Sequence, residues 1–160
     1  MKNCIITGGN SGIGYQAAKQ MAAKGCHVTM ICRNESAARK ACDEISLQTG
    51  NDMVDYLLAD LSCMADVNAA AKAYKAKEAS LDVLINNAAD FDLSVKIPVM
   101  TKDNLEKQFA TNVAAPFLLS NALLGLLKSS GDGRIINISS KGLCVYPFIK
   151  LDLGNLNGQV

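Results

Sequence analysis

An apolar run, Cys4-Ile5-Ile6, leads into Thr7-Gly8-Gly9-Asn10-Ser11-Gly12-Ile13-Gly14, and an amphipathic segment from Tyr15 to Lys24 follows. Strand, glycine-rich turn, helix: that order gives the glycines a physical job. A tight turn there needs residues that tolerate positive φ, and the missing side chains let a ligand approach the backbone. A helix opening at Gly12 points unpaired N–H groups, and the positive end of its dipole, over the turn. A pyrophosphate suits that field, which makes Gly8, Asn10, Ser11, Gly12, Ile13 and Gly14 candidate contacts. The spacing is G-x-x-x-G-x-G rather than G-x-G-x-x-G, so a tight turn without a ligand is the competing reading.

The same alternation continues along the chain. Apolar runs at 27–32, 54–58, 81–86 and 134–138 read as strands, and near-continuous apolar strands suit a parallel sheet buried on both faces. Helical patterns fill 36–49, 63–78 and 102–128 between them. Gly25 suits the end of the first helix, Ser62 is positioned to cap the third, and Thr101 or Asp103 the fourth. Pro116 predicts a kink or break in that last helix, because it removes a backbone donor. Alternating strands and helices predict an α/β fold of three layers: a Rossmann-type, doubly wound parallel sheet in the order 3-2-1-4-5. Residues 1–160 read as one domain.

Composition excludes several functions. A net charge of +1 without basic runs gives no electrostatic case for nucleic acid or an anionic membrane surface. No apolar run is expected to reach the ~20 residues that span a bilayer. The cysteines at 4, 26, 32, 42, 63 and 144 form no C-x-x-C pair, so no metal centre is expected. Most sit in apolar runs, as buried reduced thiols do. The first strand follows Met1-Lys2-Asn3 directly, leaving no room for a signal peptide, so the expected setting is cytoplasmic. His27, the single histidine, opens a strand without partner residues and reads as structural.

Arg33 lies 19 residues after Gly14, at the end of the second strand. An acidic residue there would bind the ribose hydroxyl of NAD, whereas an arginine accommodates the 2′-phosphate of NADP. Cys32 stands where the carboxylate is usual, and a thiol would not repel phosphate. NADP is therefore expected over NAD, with Arg33 and Asn34 among its contacts.

T-G-G-N-S-G-I-G at 7–14, A-D-L-S at 59–62, N-N-A-A at 86–89, N-V at 112–113 and R-I-I-N-I-S-S at 134–140 resemble the short-chain dehydrogenase/reductase family, in its order and near its spacing. The third motif departs mildly from N-N-A-G. The segments Arg33-Asn34 and 150–158 resemble its retinol-dehydrogenase-like branch. The resemblance implies that Asp60 and Leu61 meet the adenine, and that Asn87, Ala88 and Ala89 pass beneath ribose and pyrophosphate. It implies that Asn112 helps hold a water in a proton relay. Ser140, with Ser139 as its neighbour, would hydrogen-bond a substrate carbonyl and stabilise alkoxide charge. The implied reaction is hydride transfer between nicotinamide and an alcohol or carbonyl substrate. The resemblance leaves the oligomeric state open: relatives often pair through the long fourth helix, here about 102–128, which would be the face of a homo-oligomer.

The family's proton donor is a tyrosine in Y-x-x-x-K. Tyr146-Pro147-Phe148-Ile149-Lys150 fits that expression but begins only six residues after Ser140. Pro147 is tolerable only in a first helical turn, and a glycine-containing, loop-like stretch follows. The expectation is that Tyr146 and Lys150 match by spacing alone and that the working pair lies downstream of Val160; a compressed but real pair is the alternative. Strand five, apolar on both faces, would then be an exposed edge, and the resemblance implies that residues 1–160 are a single NAD(P)-binding Rossmann domain incomplete at its C-terminal end. A competing function is a non-catalytic nucleotide-binding or interaction module on the same fold.

Overall fold

The computed structural model describes residues 1–92, 94, 97–140 and 154–156. Its sheet is built from β1 (Asn3–Thr7), β2 (His27–Cys32), β3 (Val54–Leu58), β4 (Val83–Asn86) and β5 (Arg134–Asn137). All neighbours are parallel, in the order β3-β2-β1-β4-β5. Side chains alternate across the sheet, and both faces are covered, which is why the central strands read as unbroken apolar runs.

On one face, Cys4, Ile6, Val28 and Met30 meet Ala18 and Ala22 of α1 (Gly12–Ala23) and Ala38, Ala41 and Ile45 of α2 (Glu35–Thr49). On the other, Ile5, Ile31 and Leu84 meet Val67, Ala71 and Tyr74 of α3 (Met64–Lys77) and Leu119, Leu123 and Leu127 of α5 (Ala115–Ser129). The layers are helix, sheet, helix. At the β5 edge Ile135, Ile136 and Ile138 remain 41–46% exposed.

Two helix starts differ from the sequence expectation. Ser62 does not cap α3: Cys63 is the N-cap residue, without a side-chain cap bond. The Ser62 N–H and hydroxyl instead donate to Asp60 Oδ1 at 2.9 and 2.8 Å. The Met64 N–H donates to Asp103 Oδ2 at 2.8 Å, so Asp103 serves α3 rather than its own helix.

The fourth helix begins not at 102 but at Lys107. Asn104 has φ 57°, a conformation that ends any right-handed helix for a non-glycine residue. The Thr101 N–H donates to the Leu105 carbonyl at 2.8 Å and the Lys107 N–H to the Val99 carbonyl at 2.8 Å, which makes 99–107 a folded-back turn. Glu106 supplies the cap, its carboxylate accepting the Gln108 and Phe109 N–H groups at 2.9 and 2.7 Å. The short α4 (Lys107–Phe109) then runs through a π-helical stretch, Ala110–Ala114, into α5. Pro116 lies in the first turn of α5, where its missing donor is tolerated. The break foreseen at the proline is this π stretch just before it.

Lys107–Ser129 is also long and apolar enough to cross a membrane by length and composition: it has 23 residues, and an 18-residue window within it has a mean hydropathy of 1.5. That corrects the expectation that no stretch reaches this length. Its buried stripe Ala115, Leu119, Leu123 and Leu127 packs with α3 in the core beneath the sheet.

The thiols of Cys4, Cys26, Cys32 and Cys42 are free and buried. Burial pushes those of Cys4 and Cys42 up to about 12. His27 Nδ1 lies 3.2 Å from Glu78 Oε1, a structural pairing at the strand ends that lead away from the glycine turn.

Candidate functional site

The C-terminal ends of β1 to β4 open onto a cleft of about 600 Å³, within the ~300–1,000 Å³ typical of small-molecule sites. It lies where the strand order turns between β1 and β4, the switch point of a doubly wound sheet. Of the cofactor candidates, Gly8, Asn10, Ser11, Ile13, Gly14, Arg33, Asn34, Asp60, Leu61, Asn87, Ala88 and Ala89 line it, and Gly12 does not.

Gly12 opens α1 at φ 54°, and a Cβ there would meet nothing within 4 Å. Its role is conformational. Gly14 has the opposite reason: a Cβ would collide with the Gly8 carbonyl oxygen and fall 2.5 Å from Asn87 Nδ2. Helix α1 therefore crosses the turn at backbone contact. Ser11, its N-cap residue, makes no side-chain cap bond, so the first-turn N–H groups receive no acceptor from it. Thr7 Oγ1 accepts from the Asn87 and Ala88 N–H groups, each at 2.9 Å, and fixes the 87–89 loop beside the turn.

At the far rim, Cys32 is buried, and burial raises its thiol against the lowering effect of backbone hydrogen bonds from Asn10 and Gly9. The residue is thus a neutral thiol beside exposed Arg33. Asn34 Oδ1 accepts from the Ala37 N–H at 2.9 Å, capping α2, and from the Ser36 hydroxyl at 2.8 Å. Asp60 is subject to opposing effects. Burial raises its carboxyl, while the Ser62 N–H, the Ser62 hydroxyl and the charges of Arg33 and Lys107 bring it below its ordinary value.

Asp90, Lys107 and Thr111 also line the cleft and were not singled out from sequence. Lys107 Nζ lies 3.1 Å from Asp90 Oδ2. Asn112 grips the Asp90 backbone, with Nδ2 donating to its carbonyl at 2.8 Å and Oδ1 accepting its N–H at 2.7 Å. The only sequence signal was Asn112 itself, a polar residue inside a helix. Lys107 and Asn112 are five residues apart, a spacing that does not share a face in an α-helix. Asn112 sits within the π-helical stretch; such irregular turns are frequent at functional sites.

The cleft does not gather every candidate. Asn112 and Ser140 are not among its lining residues; Ser140 follows β5 and is exposed. Tyr146 and Lys150 lie outside the described residues.

The lining fits a dinucleotide. An uncapped helix N-terminus faces the cleft at one end, and a guanidinium stands beside a neutral thiol at the other. A family model described as short chain dehydrogenase matches residues 2–150. Polyprenol dehydrogenase of Homo sapiens is 38% identical over 140 residues, covering 85% of this chain and 42% of that protein. Retinol dehydrogenase 14 of Mus musculus is 36% identical over 168 aligned positions, covering 99% of this chain and 48% of that one. The chain thus spans less than half the length of these two relatives. Among solved structures, a metagenomic short-chain oxidoreductase in complex with NADP superposes with a TM-score of 0.75 at 29% identity, covering 87% of this chain and 62% of its own. The parallel sheet, the cleft at its switch point and the match along 2–150 agree: this chain belongs to the short-chain dehydrogenase family.

Proposed function

We propose that the chain is the cofactor-binding portion of an NADP-dependent oxidoreductase acting on an alcohol or carbonyl substrate. The observation that carries this reading is the pairing of Arg33 with a buried, neutral Cys32 at the rim of a cleft whose other end is the uncapped start of α1. The N–H groups of α1 would hold the pyrophosphate, and Arg33 the 2′-phosphate through charge-assisted bonds. Asp60 accepts hydrogen bonds at one oxygen from Ser62; its carboxylate would accept from the adenine amine. Asn87, Ala88 and Ala89 would run beneath the ribose, kept there by Thr7. When bound, the nicotinamide supplies or takes up the hydride. Ser140 would donate to the substrate oxygen, and Asn112 would serve the proton relay by holding the loop at Asp90.

Titration calorimetry with NADPH and NADH tests this. Arg33→Ala should weaken NADPH by about 10- to 100-fold, the equivalent of roughly 1.5–3 kcal/mol for a hydrogen bond to a charged group. NADH should change by much less. Equal losses for both, or no binding of either, would rule out the assignment.

A homo-oligomer belongs to the same proposal. Phe117 is 72% exposed and Val113 and Leu124 lie near it on one side of the last helix, an apolar strip that sedimentation of Phe117→Lys would test. A reducing, cytoplasmic setting is also proposed; the free buried thiols support it.

A further inference from the structure

Four charged side chains of alternating sign line the cleft: Arg33, Asp60, Lys107 and Asp90. Arg33 and Lys107 both act on the Asp60 carboxylate, and Lys107 is in ion-pair contact with Asp90 at 3.1 Å. The lining is therefore close to neutral where a polyanionic ligand is expected. Asp90 is placed there with unusual firmness. Its backbone N–H and carbonyl are both held by Asn112, so the backbone that carries the carboxylate is held at the cleft independently of the ion pair. Its side chain is 21% exposed against 37% for Lys107; the lysine is the more mobile partner, with three rotatable donors on a flexible stem.

We propose that Asp90 is a specificity-determining residue that restrains cofactor affinity: by occupying Lys107, it withholds a cation that would otherwise face the phosphates of the bound dinucleotide. The inference rests on the dinucleotide reading above. Its electrostatic content is simple. Each negative charge fixed in the cleft opposes a ligand in proportion to the ligand's own charge, so the phosphate-bearing NADPH is opposed more than NADH. A cleft that binds too tightly also releases slowly, because differences in affinity appear mainly in the off-rate.

Asp90→Asn removes the charge while keeping the side-chain shape and both backbone bonds to Asn112. It should tighten NADPH by about three- to fivefold and NADH by less, and the gain should shrink as salt is raised. Lys107→Met is the second variant. It leaves the Asp90 carboxylate uncompensated, so NADPH should weaken several-fold, and adding Asp90→Asn in that background should restore most of the loss. Calorimetric Kd values for both nucleotides, with thermal unfolding of each variant, read all of this. Absence of NADPH binding by the unsubstituted chain overturns the cofactor reading and this inference with it. Binding that Asp90→Asn leaves unchanged or weakens, or a double variant no better than Lys107→Met, overturns the inference alone.

Discussion

Thr7 and Asn87 hold each other reciprocally: Thr7 Oγ1 accepts the Asn87 N–H at 2.9 Å, and Asn87 Nδ2 donates to the Thr7 carbonyl at 2.9 Å. The same hydroxyl oxygen also takes the Ala88 N–H, and Thr7 is only 3% exposed. Thr7→Val keeps the shape and leaves two backbone donors without an acceptor. The expected cost is about 2–6 kcal/mol, at roughly 1–3 kcal/mol per unsatisfied buried group. Urea denaturation measures it, and Thr7→Ser, which keeps the acceptor, should recover most of the stability.

Gly14→Ala should be destabilising by about 1–3 kcal/mol, the usual cost of overpacking. The added methyl meets the Gly8 carbonyl oxygen, a backbone atom that cannot rotate away. Gly12→Ala meets no neighbour but carries φ 54°, so its smaller loss comes from backbone strain. Denaturation of the two variants side by side separates steric from conformational need for glycine.

Asp103→Ala should remove about 1 kcal/mol, as loss of a helix cap does, although the residue lies 39 positions from the N–H that it serves. Hydrogen exchange at the Met64 amide should speed up. Asp103→Asn keeps an acceptor oxygen and should lose less.

The Asp60 carboxyl sits below its ordinary value in the fold, partly through the Ser62 hydroxyl. A group lowered on folding adds stability above its unfolded value, and that contribution disappears as pH falls through the folded value. Ser62→Ala removes one donor, so the Asp60 carboxyl should titrate at higher pH in a carbon-detected NMR experiment. Stability should then depend less on pH across the acid range. An unchanged Asp60 titration would mean that the Ser62 backbone N–H and the nearby cations set its value.

The sheet order was readable because each central strand announces burial on both faces and each glycine or polar cluster marks a turn. The glycine loop, Arg33, Asp60 and the 87–89 loop were readable for a related reason: they lie at strand ends, where chain order fixes place. What escaped was contact across the fold. Asp103 carries the local signature of a helix cap, yet Asn104 at positive φ turns the chain back and delivers its carboxylate to α3. Ser62 carries the same signature and turns to Asp60. Lys107 and Asp90 are 17 residues apart with a loop between them, and no periodicity joins them.

The π-helical stretch at Ala110–Ala114 divides the last helix into two phases. Lys107 ahead of it and Asn112 within it are aimed at Asp90; behind it, Leu119, Leu123 and Leu127 are aimed at the core. One residue more or less in an α-helix rotates everything beyond it by about 100°. Deleting a single residue from 110–114 would give an unbroken α-helix in which only one of these two faces could stay in register. The extra residue acts as a clutch: substitutions that retune the cleft end need not disturb the stripe that anchors the helix.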